Sequence, residues 1–309
     1  ERGREVRSGT LMEWQTDKRL GTLFGAAIIF SLVIFDTGVL LALRNRPVDI
    51  WTFVGGLAVA VTLPAVAATI YRLIGLRRSG YAIDRNHLTI VWGPIRHVVP
   101  TRLIDHVVLG EEVSPRIRFR GGRWPGMWVG SGDVPAIGLT LFNATAPLHR
   151  QVFIVTDLAA YAISPIDREG FVEAVKARKA MGPTQDVLQE TIRPAFFDWP
   201  LWSDRLARRL ALGAALLCAA LFAFVCLQYP ELPERVPLHF DTAGVADRFG
   251  GPPSVFILPL IGLLALTVNS LIAVPVYLRE RVPAYLLWGG ALLAQVLVWV
   301  AAVTTLAPD

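Results

Sequence analysis

The sequence predicts an α-helical membrane protein with five transmembrane helices and one water-exposed β domain, a sandwich or barrel followed by a single C-terminal helix. Three observations lead there. The 309-residue chain is 53% hydrophobic and only 18% charged, against about 25% charged in an average soluble domain. The apolar residues gather into five runs, each long enough to cross a hydrocarbon core. Between the second and third runs, residues 77–182 switch to short alternating segments, the period of strands.

Charge and cysteine content narrow the class. The formal net charge is +5 and the pI about 9.6. In a membrane chain this points to anionic lipid head groups and the cytoplasmic face. No zinc knuckle, helix-turn-helix or RNA-binding signature points to nucleic acid. Cys218 and Cys226 share one apolar run, about 12 Å apart along a helix. That excludes a disulfide scaffold and argues against a cysteine metal site. The charged start of the chain predicts no signal peptide.

Residues 1–76 read as a basic N-terminus and a two-helix hairpin. Arg2, Arg4, Arg7, Lys18 and Arg19 precede the first run, 20–43, which spans about 36 Å as a helix. A short turn with Arg44, Arg46 and Pro47 leads to the second run, 50–76. Pro64 inside it predicts a kink rather than a break. Asp36 stands in the first run, about 10 Å from its end. An intramembrane carboxylate is a functional candidate by default; the plainer expectation is pairing with Arg44 or another helix.

The β domain occupies 77–182. Strands are expected at 81–86, 87–92, 95–99, 103–109, 116–120, 134–142, 151–156 and 160–163, with Gly93-Pro94 as a turn and Gly121-Gly122 as a stop. Alternation puts Arg116, Arg118 and Arg120 on one side of their strand, and Arg123 extends this basic face. Ser164-Pro165-Ile166-Asp167 predicts a helix start, with serine as cap and proline at the first position. Lys176, Arg178 and Lys179 suit the helix end, and Gly182-Pro183 stops it.

About seven short strands and one closing helix, together with several local motifs, resemble a bacterial pleckstrin-homology-like domain. The motifs are Tyr-Ala-Ile-Asp-Arg-Asn at 81–86, Thr-Ile-Val-Trp-Gly-Pro-Ile at 89–95 and Arg-Trp-Pro-Gly at 123–126. Leu-Phe-Asn-Ala-Thr at 141–145 and Tyr-Ala-Ile-Ser-Pro at 161–165 complete them. The resemblance covers about a third of the chain. It implies a curved antiparallel sheet packed on itself, a helix plugging one corner, and a binding or scaffold role without chemistry. It does not fix a ligand.

Residues 183–205 read as an interfacial linker. Trp199 and Trp202, with Phe196 and Phe197, stand just before Arg205, Arg208 and Arg209, an aromatic anchor at a membrane surface. The segment 206–309 holds three further runs, 206–227, 255–278 and 283–306. Asn269 and Gln295 inside them are expected to hydrogen-bond between helices. Arginine placement puts the N-terminus and the β domain in the cytoplasm of a bacterial inner membrane and the C-terminus outside.

The loop 228–254 is then external. Leu232, Pro233, Pro237, His239, Phe240, Gly244 and Asp247 resemble a domain of unknown function also found at the start of SdpI-type immunity proteins. No lysine follows where one is common, and the SdpI-type remainder is missing. His239, Asp241 and Asp247 are weak candidates for a divalent ion; a turn around Gly244, with His239 fixing it, is the plainer expectation. The prolines predict an ordered cap over the third and fourth helices.

The leading functional expectation is a non-catalytic membrane protein with no cofactor. Its cytoplasmic domain would dock a membrane or cytoplasmic protein partner or anionic membrane lipid, as an accessory subunit of a membrane complex. An immunity or envelope-stress protein acting through the external loop is the second expectation. A metal-dependent enzyme at His239 comes third, since no Ser/His/Asp order, HExxH helix or phosphate loop is present.

Overall fold

The computed structural model describes residues 11–240 and 246–306, with 238–240 and 246 described by backbone alone. Six helices occur among these residues: α1 (Arg19–Leu43), α2 (Ile50–Arg77), α3 (Arg168–Met181), α4 (Arg205–Gln228), α5 (Ile257–Tyr277) and α6 (Arg281–Leu306). All but α3 are long and apolar enough to cross a membrane. In lipid a helix satisfies its own backbone polar groups, so such runs fold in this form. Pro64 lies inside a helix that continues through it. The chain divides into two compact units, Glu1–Ile34 with Leu63–Pro194, and Phe35–Thr62 with Ala195–Asp309.

The first unit contains the β domain. One sheet has the order β1-β2-β3-β4-β11, from β1 (Met12–Trp14), β2 (Gly80–Ile83), β3 (His87–Trp92), β4 (Ile95–Pro100) and β11 (Glu190–Ile192). The other has the order β5-β9-β10-β8-β7-β6. Its strands are β5 (Ile104–Leu109), β6 (Arg118–Trp124), β7 (Met127–Val134), β8 (Gly138–Ala144), β9 (Val152–Thr156) and β10 (Ala160–Ile163). Among the described strands only β8 and β10 pair in parallel.

Inward residues of both sheets meet in one core. Tyr81, Ile83, Leu88 and Ile90 of the first sheet pack with Val152, Ile154 and Ile163 of the second, and Phe171 and Val175 of α3 close it. The Tyr81 hydroxyl ties the layers together: it donates to the Asn143 carbonyl (2.7 Å) and accepts from the Ser164 amide (3.0 Å). Burial pushes this phenol up to about 12, so it stays a donor.

Three expectations are corrected. The sheet takes strands from outside 77–182: β1 precedes α1, and β11 falls in the expected linker. Three-residue strands carry too little alternation to be read alone. Next, Gly121-Gly122 does not end a strand, and β7 occupies a stretch given no strand. Gly121 and Gly130 face each other in the β6–β7 ladder at φ 150° and 153°. A Cβ on either would run into the opposite backbone, so glycine permits the pairing here.

Last, α3 begins at Arg168 with Asp167 as its cap, accepting from the Gly170 amide at 3.0 Å. The Ser164 hydroxyl instead accepts from the amides of Thr145 (2.6 Å) and Ala146 (3.3 Å). Pro165 bridges to Thr16. The serine therefore joins strands rather than capping the helix.

In the second unit α4, α5 and α6 form a three-helix bundle. Buried Ala207, Ala273 and Ala284 pack with Tyr277 and Trp288 near one end. At the other end a hairpin, β12 (Val236–Phe240) with β13 (Ala246–Gly250), seats Val236 against Val225, Val255 and Leu306.

His97 of β4 fixes β11. It is 6% exposed, its Nδ1 lies 2.9 Å from the Thr191 hydroxyl, and its ring packs on Tyr161. Burial, then the nearby Arg193 charge, lowers its pKa to about 4. The unfolded chain takes up a proton near pH 6.5 that the folded one refuses until about 4. The sign is therefore fixed: stability is full above pH 6.5 and falls as pH drops from 6.5 to 4, by at most about 1.4 kcal/mol per pH unit. Hydrogen exchange of the β4 and β11 amides in the full chain, corrected for intrinsic rates, measures this. The variant His97→Gln is expected to flatten the dependence.

Candidate functional site

The basic face is built on β6. This strand lies at the open edge of its sheet, and Arg118 and Arg120 are exposed there while Phe119 turns inward onto Trp128 and Phe142. Charged residues on an edge also discourage unwanted strand pairing. Arg116 is exposed but precedes the strand, so alternation does not set its direction. The Arg123 guanidinium lies over the Trp128 ring, 3.9 Å from its centroid, on the Phe119 side of the strand; the expectation that it extends the face of Arg118 and Arg120 is corrected, since alternation turns it the other way. Asp133 stands opposite Arg118 in register.

The tip of the β6–β7 hairpin fixes where this face lies. Pro125 and Gly126, with φ +81° at the glycine, make the turn that proline followed by glycine favours. Gly126 rests on the backbone of Gly21, in the first turn of α1; a side chain on either would collide with the other. Trp124 and Met127 then pack with Leu76 of α2 and Trp92, flanked by Ile28 and Leu73. The hairpin is thus wedged onto the ends of two spanning helices. Arg72 of α2, missed in the sequence, lies 5.9 Å from the Trp124 ring and beside Gly122. Position within an apolar run hid it.

The intramembrane polar residues behave differently from one another. Asp36 is half-buried, and its Oδ1 accepts from the Thr62 hydroxyl of α2 at 2.5 Å. That hydroxyl proton is shared with the carbonyls of Val59 (3.0 Å) and Ala58 (3.1 Å). Polar groups inside a membrane span are costly, and one shared hydroxyl offsets little of that cost. The Gln295 amide donates to the Gly262 carbonyl across α6 and α5 at 2.7 Å. Asn269 is corrected: its amide donates to Ala265, four residues back in its own helix, not to a neighbour.

The aromatic segment before α4 folds as two short turns. Trp199 and Trp202 stack with 6.4 Å between centroids, and the Trp202 indole donates to the Phe196 carbonyl at 2.6 Å. Asp204, not singled out in the sequence, organises the start of α4. Its Oδ1 accepts from the amides of Leu206 (2.8 Å) and Ala207 (3.1 Å), and its Oδ2 from the hydroxyls of Tyr285 (2.5 Å) and Tyr277 (2.7 Å). The two phenols, then the amides, hold this carboxyl well below the usual carboxylate range. An acid just before an apolar run was the readable signal; the tyrosines came from the fold.

Of the loop candidates, Asp241, Gly244 and the side chain of His239 lie outside the described residues, and Asp247 is exposed in β13. Among the described residues no group of three His, Cys, Asp or Glu side chains could hold a metal ion.

Residues 79–179 match the family model described as a bacterial PH domain. The β domain is similar to bacterial PH domains. Residues 216–263 match the model described as a domain of unknown function (DUF1648), which takes in the end of α4, the β12–β13 hairpin and the start of α5. A protein of Archaeoglobus fulgidus described as uncharacterized is 43% identical over 47 residues, 15% of this chain and 26% of the relative. The chain thus matches about a quarter of that relative's length. No solved structure matches.

The wedge is open to test. Gly126→Val places a side chain in the Gly21 contact at positive φ, and a destabilisation of about 1–3 kcal/mol is expected. Trypsin should then cut after Arg118, Arg120 or Arg123 sooner than in the wild-type chain, while all five spans stay inserted.

Proposed function

We propose that this is a non-catalytic, multi-pass protein of a bacterial inner membrane whose PH-like domain binds anionic lipid beside its own α1–α2 hairpin. One observation carries the reading: the arginine-bearing strand β6 ends in a tip wedged onto Gly21 and Leu76. Arg123 is three residues from that tip, and Arg120 and Arg118 follow further along the same strand. Near an anionic surface each such cation contributes about 1 kcal/mol, within a Debye length. A protein partner with an acidic surface would use the same face, and the chain would then act as an accessory subunit.

A second reading, an immunity-like or stress-sensing role through the β12–β13 hairpin, is favoured by the match at 216–263 and by the seating of Val236 on the helix ends. In either reading the N-terminus and PH-like domain face the cytoplasm and the C-terminus faces outward, from the arginine placement.

Two measurements check the proposal. In nanodiscs of phosphatidylcholine with a minority of phosphatidylglycerol, the full chain is expected to enrich phosphatidylglycerol around itself. Changing Arg116, Arg118 and Arg120 together to Gln should weaken that enrichment by about 1 kcal/mol per arginine that faces the bilayer, less at high salt. Unchanged enrichment would remove lipid as the ligand. A topology reporter fused at Gly182 should read as cytoplasmic; an external reading would reverse the orientation.

A further inference from the structure

The α1–α2 hairpin carries an acid, Asp36, that forms no ion pair among the described residues. Asp36 lies about 25 Å along the helix from Arg19 and about 10 Å from Leu43. It is half-buried, and its one described partner is the Thr62 hydroxyl. No Lys, Arg or His occurs at 20–43 or 47–71. Arg44 is eight residues further along the same helix, about 12 Å, and Arg72 is ten residues from Thr62, about 15 Å.

The hairpin is also the least covered part of the membrane region. In the most apolar window of α1, and in that of α2, 6% of the residues are buried, against 28%, 17% and 28% in the windows of α4, α5 and α6. Few residues of these α1 and α2 stretches are therefore buried, and Asp36 itself is half-buried.

Charge decides which groups can cover such a face. Acyl chains cannot solvate a carboxylate, and lipid phosphates carry the same sign. A second copy of this chain would bring a second Asp36, and two ionised carboxylates at one site repel, whereas a basic side chain is attracted to the ionised acid. A cationic side chain at matching depth satisfies the charge, and a carboxylate–cation pair is strengthened where water is excluded.

We propose that the α1–α2 hairpin docks a membrane-spanning helix of another protein, and that this helix brings a basic side chain to Asp36. The proposal does not rest on lipid binding by the PH-like domain.

The test uses the full chain in phosphatidylcholine nanodiscs and two labelled spanning peptides of leucine and alanine. One peptide has a single lysine about 10 Å inside its end; the other has leucine there. Energy transfer should show the lysine peptide bound at least about tenfold tighter, which corresponds to about 1.4 kcal/mol. Asp36→Leu, which makes the span more apolar and so preserves insertion, should abolish the difference. Changing Arg116, Arg118 and Arg120 to Gln should leave it intact, which separates this outcome from the lipid reading. Equal binding of both peptides, or a difference that persists in Asp36→Leu, overturns the proposal. So does Asp36-dependent self-association without peptide, which would assign the face to a second copy.

Discussion

The first unit depends on a contact between two backbones, Gly126 at the tip of the β6–β7 hairpin against Gly21 at the start of α1. With no side chain on either residue, the turn sits directly on the helix. That close approach carries Trp124 and Met127 onto Leu76 and Trp92. Two shorter links reinforce it. Chain from β1 runs through Thr16, hydrogen-bonded to Ser79, into α1, and the Lys18 ammonium donates to the Arg77 carbonyl at 2.9 Å. The domain is thereby held to the hairpin that anchors it, not left on a flexible tether.

The three-helix bundle is held by different means. Lipid is as apolar as leucine, so helices gain little by hiding apolar side chains from it. Small residues and hydrogen bonds take over. Buried Ala214, Ala273, Ala284, Ala291 and Ala302 allow close packing. Gly262 leaves room for Gln295, whose amide reaches its carbonyl. At one end Asp204 accepts four hydrogen bonds, two from its own helix and one from a tyrosine on each of the other two. That single side chain sets the rotation and height of three helices. The hairpin α1–α2 is joined instead by Thr62 on Asp36, by the fit of Gly25 against Leu73 and of Gly55 against Leu43 and Val39, and by Ile28 beside Leu73.

These two modes of construction suit different roles. A bundle joined by the Asp204 hydrogen bonds and the Gln295–Gly262 contact is a stable base for the β12–β13 hairpin, whose Val236 rests on the helix ends. The α1–α2 hairpin combines a fixed soluble domain at one end with a poorly satisfied acid nearer the other.

The run lengths alone determined the five spans, because a bilayer demands about twenty apolar residues in a row and satisfies no broken backbone. Alternation and turn residues likewise determined β2 to β5, β9, β10 and the helix α3, and the local motifs pointed to the bacterial PH domain that the family match bears out. Tertiary structure alone decided the rest. β1 and β11 are strands because a sheet edge was waiting for them, and three residues hold too little pattern to announce it. The glycines at 121 and 130 read as breaks, yet pair because each leaves space for the other's backbone. Ser164 looked like a helix cap but is held by Thr145 and Ala146. Arg72, Asp204 and Gly126 gained their importance from residues far away in the chain, and a linear pattern carries no record of what lies across a gap in space.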